Sequence, residues 1–234
     1  MPFKTIAKFG KKKNQVEIPA DIETEIKIPA VIEERLNLFE SVSTVIKSRR
    51  STRSYNKKEV DMDLILKVLE AGRYAPSAGN YQPWEFIVVR NPEMKKYLVE
   101  ACYNQNWMLE ASAFIVVCTN SRLAGAIYGE RGLKLYGVQG TAAAIENMLL
   151  TAESLGLASC WVGTLSEMAV GRLLECPEYV RPCAIITLGY SSFKVKTPPR
   201  QDIQEFVHIE KFGNTLLMEK VIREKKPTYM KFRG

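Results

Sequence analysis

The sequence predicts an α+β fold, with a mixed central sheet flanked by helices and an arm at each end of the chain. Three observations predict it. Segments with apolar residues at helical spacing alternate with short, continuous apolar runs, the pattern of helices packed on a sheet. The length of 234 residues suits one domain of this kind, and no stretch reads as a second compact core. Residues 1–40 and 213–234 fall outside the alternation and read as arms around a domain at 41–212.

Each element has its own signal. Residues 1–40 contain an echo, Ile18-Pro19-Ala20-Asp21-Ile22-Glu23 followed by Ile28-Pro29-Ala30-Val31-Ile32-Glu33. Proline pushes the residue before it toward extended backbone. Two copies are too few for a solenoid, so the segment reads as an arm lying along the body or a partner subunit. Residues 41–47 open a helix. Asp61 is placed to cap a second, in which Leu64, Ile65, Val68, Leu69 and Gly72 share a face. The turn residues of 75–80 end it. Residues 84–90 form a strand, 92 to about 107 a helix, and 113–119 a fully apolar strand. The longest helix covers 137–155, and its small-sided stretch at 141–144 lets a second helix approach closely. Residues 157–163 and 184–190 add two strands, and 216–225 reads as a basic amphipathic helix or arm.

Composition excludes several classes. Hydrophobic residues at 46% and charged residues at 25% are the mix of a soluble globular protein. No apolar run approaches the roughly 20 residues that span a bilayer. Lys11-Lys12-Lys13 leads into Glu and Pro rather than the apolar stretch of a signal peptide, so a cytoplasmic protein without membrane contact is expected. The five cysteines are odd in number and contain no C-x-x-C, which favours structural thiols over a metal or redox site. A single histidine, His208, disfavours histidine-based zinc sites and most serine-hydrolase triads. It is open to a role as a lone general acid or as an ordinary packed or surface residue. With 33 basic and 26 acidic residues the net charge is +7, which favours nucleic acid, acidic lipid or a phosphorylated cofactor as partner.

Three segments carry chemistry. No dinucleotide fingerprint is present, because Gly125, Gly129 and Gly132 have the wrong spacing, and no Walker A pattern occurs. Any nucleotide must therefore be held by charge and loops. Arg49-Arg50-Ser51-Thr52-Arg53 offers three guanidiniums and two hydroxyls that match phosphate oxygens, or else is a solvated basic helix end. In Pro76-Ser77-Ala78-Gly79-Asn80-Tyr81-Gln82-Pro83-Trp84, short polar side chains surround a glycine that permits close backbone approach; the alternative is a plain polar connection. Ser159-Cys160-Trp161-Val162-Gly163-Thr164 lies at a strand's carboxyl end, a common ligand position, or is a core strand meeting a turn.

In this order the three segments resemble the nitroreductase family, flavoenzymes that hold FMN at a homodimer interface. The resemblance covers residues 41–212. Arg49-Arg50-Ser51-Thr52-Arg53 matches the family's R-R-S-x-R start, and the 76–84 loop matches its P-S-x-x-N-x-Q-P-W. Residues 143–150 with Leu155-Gly156-Leu157 resemble its central helix. Cys160-Trp161-Val162-Gly163 resembles the segment lining the flavin, and Leu188-Gly189-Tyr190 with Pro199-Arg200 the closing one. The resemblance implies that Arg49, Arg50, Ser51 and Arg53 bind the FMN phosphate and ribityl chain, with Arg200 approaching the phosphate. It implies that Pro76, Ser77, Asn80 and Gln82 come from the other subunit and that Asn104 touches the flavin. Trp161, Val162, Gly163 and Thr164 would line the ring, with a backbone N–H near Gly163 or Thr164 aimed at N5. Two departures stand out. Trp107 occupies the position of a lysine in well-known bacterial members, which implies weaker stabilisation of anionic reduced flavin. Gly163 replaces an acidic residue.

The activity so implied is hydride transfer from NADH or NADPH through FMN to a small-molecule acceptor such as a nitroaromatic, a quinone or a similar flat electrophile. The protein would orient the cofactor, with no catalytic side chain required. Two alternatives remain at this stage. One is a specialised branch (dehalogenase, flavin-cleaving enzyme or ene reductase), for which residues 122–136 are the place to seek a lid. The other is a non-catalytic flavin-binding protein. A basic nucleic-acid or membrane-surface protein is disfavoured, since the aromatic and basic interleaving of RNA readers is missing.

Overall fold

The computed structural model describes residues 30–193 and 195–215. The expected helix at 216–225 and the first copy of the repeat near the amino terminus lie outside them; of the second copy only residues 30–33 are described, as the start of a helix. Two compact units divide the chain, one ending at Lys47 and the other starting at Ser48. In the first, helix α1 (Ala30–Ser48) runs without interruption through residues 40 and 41. Leu38, Val42 and Ile46 recur along it at four-residue intervals and are exposed.

The second unit is built on four strands: β1 (Trp84–Val89), β2 (Ala113–Asn120), β3 (Ala158–Val162) and β4 (Val180–Gly189). Their order is β1-β2-β4-β3, and each neighbouring pair is antiparallel. A parallel element comes from one isolated bridge, Ser51 to Ser159, on the free side of β3. The four strands themselves therefore form an antiparallel sheet, and the mixed pairing expected from the sequence is limited to this one bridge.

Helices cover both faces. Along β2, Ala113, Ile115 and Val117 pack with Ile65 and Val68 of α2 (Met62–Arg73) and with Ile145, Met148 and Leu149 of α5 (Gly137–Ser154). The alternate residues Phe114, Val116 and Cys118 pack with Leu98 and Val99 of α3 (Pro92–Ala101) and Val170 of α6 (Glu167–Leu173). A strand's side chains point to opposite faces in turn, so a middle strand between two helical layers must be apolar throughout. That is why residues 113–119 read as one continuous apolar run.

Several boundaries differ from the sequence expectation, each for a local reason. Asp61 stands at the cap position of α2, but only its carbonyl, accepting from Leu64 and Ile65, serves the first turn. Helix α3 stops at Ala101 rather than near 107, because Tyr103 and Asn104 turn left-handed, at φ 56° and 58°, and a short 3-10 turn follows at Asn106–Glu110. Residues 121–136 are helical too: α4 (Ser121–Arg131) is broken at Gly129, φ 52°, and joins α5 through a π turn at Gly132–Tyr136. Strand β4 begins at Val180, earlier than expected. It carries a bulge between Val117 and Cys118 of its partner, which leaves Cys183 as the extra residue.

The close approach of α2 to α5 rests on Gly72. A Cβ there would lie 3.0 Å from Met148 Cγ and 3.2 Å from Phe86 Cζ. Gly72→Ala should therefore destabilise the fold by about 1–3 kcal/mol through overpacking. In a Met148→Ala background the same change should become neutral or gain up to about 1 kcal/mol from helix propensity. Urea unfolding of the four chains measures this coupling.

Candidate functional site

The site is assembled on the free edge of β3. There Thr52 N donates to Ser159 O at 2.9 Å, beside the Ser51–Ser159 bridge, so residues 49–53 are laid along the edge of the sheet. Tyr55 holds them down. Its buried Oη donates to Thr52 O at 2.8 Å and lies 2.7 Å from Thr187 Oγ1 of β4. Its ring covers Gly189, where a Cβ would come within 2.6 Å of Cδ1. Burial raises the Tyr55 phenol far above its ordinary value of 10.0, and the Thr187 hydrogen bond offsets only part of this.

The three arginines are arranged differently. Arg49 Nε lies 3.6 Å from Glu146 Oε1 of α5, and both side chains are partly exposed, so the pair contributes little to stability. Arg50 donates to Arg49 O at 2.7 Å and to Thr197 Oγ1, which draws the segment after β4 to the cluster. Arg53 is exposed, its guanidinium 5.7 Å from the centre of the Trp107 ring. Between them, the Cys160 thiol meets Ser51, Arg53 and Arg49, but burial outweighs these and raises its pKa. It is therefore a protonated core group rather than a nucleophile.

The third segment turns outward beside them. Trp161, Gly163 and Thr164 are exposed, whereas Val162 is buried among Ile185 and Val170 and presents only backbone. A Cβ on Gly163 would meet only Trp161 Nε1, at 3.8 Å, so the peptide there faces open space. Gln105 Nε2 donates to Thr164 O at 3.2 Å and to Cys102 O at 3.1 Å. This ties the left-handed turn carrying Asn104 to the same edge.

One chain thus gathers Arg49, Arg50, Ser51, Arg53, Asn104, Trp161, Val162, Gly163 and Thr164. It does not bring Pro76, Ser77, Asn80 and Gln82 to them. That loop leads into β1, three strand spacings from β3, or about 14 Å across the sheet. It is a well-defined turn: Ser77 Oγ accepts from Gln82 N at 3.0 Å, and Asn80 and Gln82 are left-handed at φ 55° and 51°. Pro83 and Ser77 pack on Gly140 of α5, and Gly79 lies under the Tyr128 hydroxyl. Tyr81 Oη is buried with no hydrogen-bond partner among the described residues. Arg200 is exposed and makes no hydrogen bond or ion pair among the described residues, although Thr197 close to it reaches the cluster.

Four contributors escaped the sequence reading: Tyr55, Gln105, Glu146 and Thr197. Tyr55 and Gln105 stand within two residues of Arg53 and Asn104, and that adjacency was a usable signal. Glu146 and Thr197 meet the cluster only through folding. His208 meets Phe212 with ring centres 4.4 Å apart and the rings tilted by 53°.

Comparison with known proteins identifies the family. The model of the nitroreductase family matches residues 46–121 and 100–190. A protein of Archaeoglobus fulgidus, provisionally named an NADH dehydrogenase/NAD(P)H nitroreductase, is 39% identical over 156 residues, 65% of this chain and 86% of its own. An FMN reductase [NAD(P)H] of Bacillus subtilis is 29% identical, covering 74% of this chain and 76% of its own. The crystal structure of the NADPH:FMN oxidoreductase of Vibrio harveyi complexed with NAD+ superimposes with a TM-score of 0.68 and 25% identity, over 74% of this chain and 77% of that one. The chain belongs to the nitroreductase family and has its fold.

Tyr55→Phe removes one buried hydroxyl and should cost about 1–2 kcal/mol. It should also change the alkaline limb of stability. A phenol whose folded pKa is raised stays protonated in the fold while the unfolded chain ionises near 10.0, so its contribution is lost as pH rises above that value. Denaturant midpoints between pH 8 and 11 should fall less steeply in Tyr55→Phe than in the wild type.

Proposed function

We propose that the β3 edge is one half of an FMN site and that the chain is an NAD(P)H-dependent flavin oxidoreductase. The observation that carries the reading is the meeting of three guanidiniums, the exposed Trp161 ring and the open peptide at Gly163 on one sheet edge. The donor set suits the cofactor: cations and a hydroxyl for a phosphate, a flat apolar surface for a ring, and a backbone that no side chain shields. Arg49, Arg50, Ser51 and Arg53 would hold the phosphate and ribityl chain, with Arg200 approaching from the 195–200 segment. Asn104 and residues 161–164 would line the ring.

FMN held there would supply the hydride chemistry that links a reduced nicotinamide to an acceptor. The relatives named as FMN reductases and flavin oxidoreductases support this donor and cofactor. The protein's part is to orient the reactants and to offer backbone N–H groups near Gly163 or Thr164 where negative charge develops. An exposed edge beside Trp161 favours flat electrophiles, nitroaromatics and quinones among them. Trp107 places a neutral ring under Arg53, so that arginine is the cation available at this corner.

The active form is a homodimer in this reading. The Pro76 loop and the arginine cluster sit on opposite sheet edges of one chain, so a two-fold pair would complete two equivalent sites. The Tyr81 hydroxyl, buried without a hydrogen-bond partner among the described residues, and the exposed apolar stripe of α1 further support an association surface. The cytoplasm is the matching compartment, since all five cysteines are free thiols.

The purified protein, incubated with FMN and desalted, should stay yellow and bleach on anaerobic addition of NADH or NADPH. Arg49→Ala and Arg53→Ala should each weaken FMN binding about tenfold or more, the loss of a hydrogen bond to a charged group. Glu146→Gln, which frees Arg49 from a competing carboxylate, should leave FMN binding unchanged or tighter. Colourless protein would overturn the reading, and a monomer retaining one FMN per chain would overturn the dimer.

A further inference from the structure

Away from the β3 edge, a cavity of about 670 Å³ opens between residues 54–59, the start of α3 and residues 109–112. None of the residues assigned to the flavin lines it. Its volume falls within the range of pockets that hold small organic ligands, about 300–1,000 Å³.

Its charge is unbalanced. Lys57, Lys58, Arg90 and Lys95 face Glu59 and Glu110, four cations against two carboxylates, which leaves two positive charges. Both carboxylates are already engaged: Glu59 Oε2 by Arg90 at 3.1 Å, and Glu110 Oε2 by Tyr55 N at 3.0 Å. Lys58 is held in place, with Nζ 4.1 Å from the centre of the Tyr190 ring. Lys95 is the unusual member. Only 9% exposed, it donates to Ala111 O at 2.6 Å, its one hydrogen bond among the described residues, and lies 5.6 Å from the centre of the Phe114 ring. An ammonium carries three donors, so a single acceptor and a ring face do not saturate it. Burial pushes its pKa down, which the charge of Glu59 partly counters. A buried cation short of acceptors is costly unless something supplies them. The amides at the start of α3 cannot share the task of binding, because Asn91 Oδ1 accepts from Glu93 N and Met94 N at 2.9 Å each.

We propose that this cavity is a second ligand site, taking a phosphate-bearing small organic molecule held by Lys58, Arg90 and Lys95. A phosphate ester carries a charge of about −1.5 to −2 at neutral pH, which balances the two surplus cations, whereas a single carboxylate does not. The lining also includes Leu109, Ala111 and Pro92, which give an organic body apolar surface. Two sources share this chemistry: the phosphates of a pyridine dinucleotide and those of a separate phosphorylated metabolite.

Calorimetric titration of the FMN-loaded protein with pyrophosphate and with adenosine 2′,5′-bisphosphate tests the site. Flavin retention, read independently from absorbance, reports on the FMN reading alone. The expected result is saturable binding of one ligand per chain that weakens with added salt. Lys58→Gln/Arg90→Gln, both on exposed side chains, should weaken binding at least tenfold while flavin retention stays unchanged. If NADPH displaces the probe and the double variant raises KM for NADPH, the ligand is a phosphate of the dinucleotide: the 2′-phosphate where KM for NADH is unchanged, the pyrophosphate where it rises as well. If NADPH does not compete, it is a separate metabolite. The proposal is overturned by the absence of saturable binding. It is equally overturned by binding that survives Lys58→Gln/Arg90→Gln but disappears in Arg49→Ala/Arg53→Ala, which would put the phosphate at the β3 edge.

Discussion

A single backbone pairing, Thr52 N to Ser159 O, turns a basic peptide into part of a site. Without it, residues 49–53 would be a charged segment with no fixed relation to the sheet. With it, three guanidiniums stand beside Trp161 and Gly163 on an edge that a β3 strand of five residues leaves otherwise open. The pairing depends in turn on Tyr55, whose hydroxyl links Thr52 to Thr187 across the buried end of β4. Gly189 is what admits the Tyr55 ring. The candidate site's edge is thus anchored through one phenol into the core.

The same architecture separates the two halves of the candidate site. β2 and β4 are buried on both faces and form the rigid middle of the sheet, so its edges are held at a fixed distance. Helix α5 packs across the face, touching the Pro76 loop near Gly140 and the arginine cluster at Glu146. Loop and cluster are each well defined, and the strand order puts them at opposite edges of the sheet. Backbone strain marks both halves: Asn80, Gln82 and Asn104 all take positive φ, a conformation that a fold tolerates where a side chain or carbonyl must be aimed.

Charge is distributed with similar economy. At the β3 edge the cations are partly engaged by Glu146, Thr197 and the Trp107 ring, which keeps them in place at little energetic gain. In the cavity beside Tyr55 the carboxylates are engaged instead, and the cations outnumber them. The overall charge of +7 therefore has at least two local expressions, one at each side of the Tyr55 segment.

The amino-acid sequence by itself determined the α+β class, most strand and helix positions, the family and the three candidate segments. These are local patterns: apolar periodicity, turn residues and short motifs act over a few neighbours. Residues 113–119 declared a strand buried on both sides, and the arginine and 76–84 motifs declared themselves as strings. Only the tertiary structure decided which segments meet. The end of α3 depended on a left-handed pair, Tyr103 and Asn104, that periodicity does not register. Glu146 and Thr197 are about 100 and 150 residues from the arginines they touch, a separation bridged only by packing. Strand order, which sends the Pro76 loop to one edge and the cluster to the other, is a property of the whole sheet rather than of any stretch of chain.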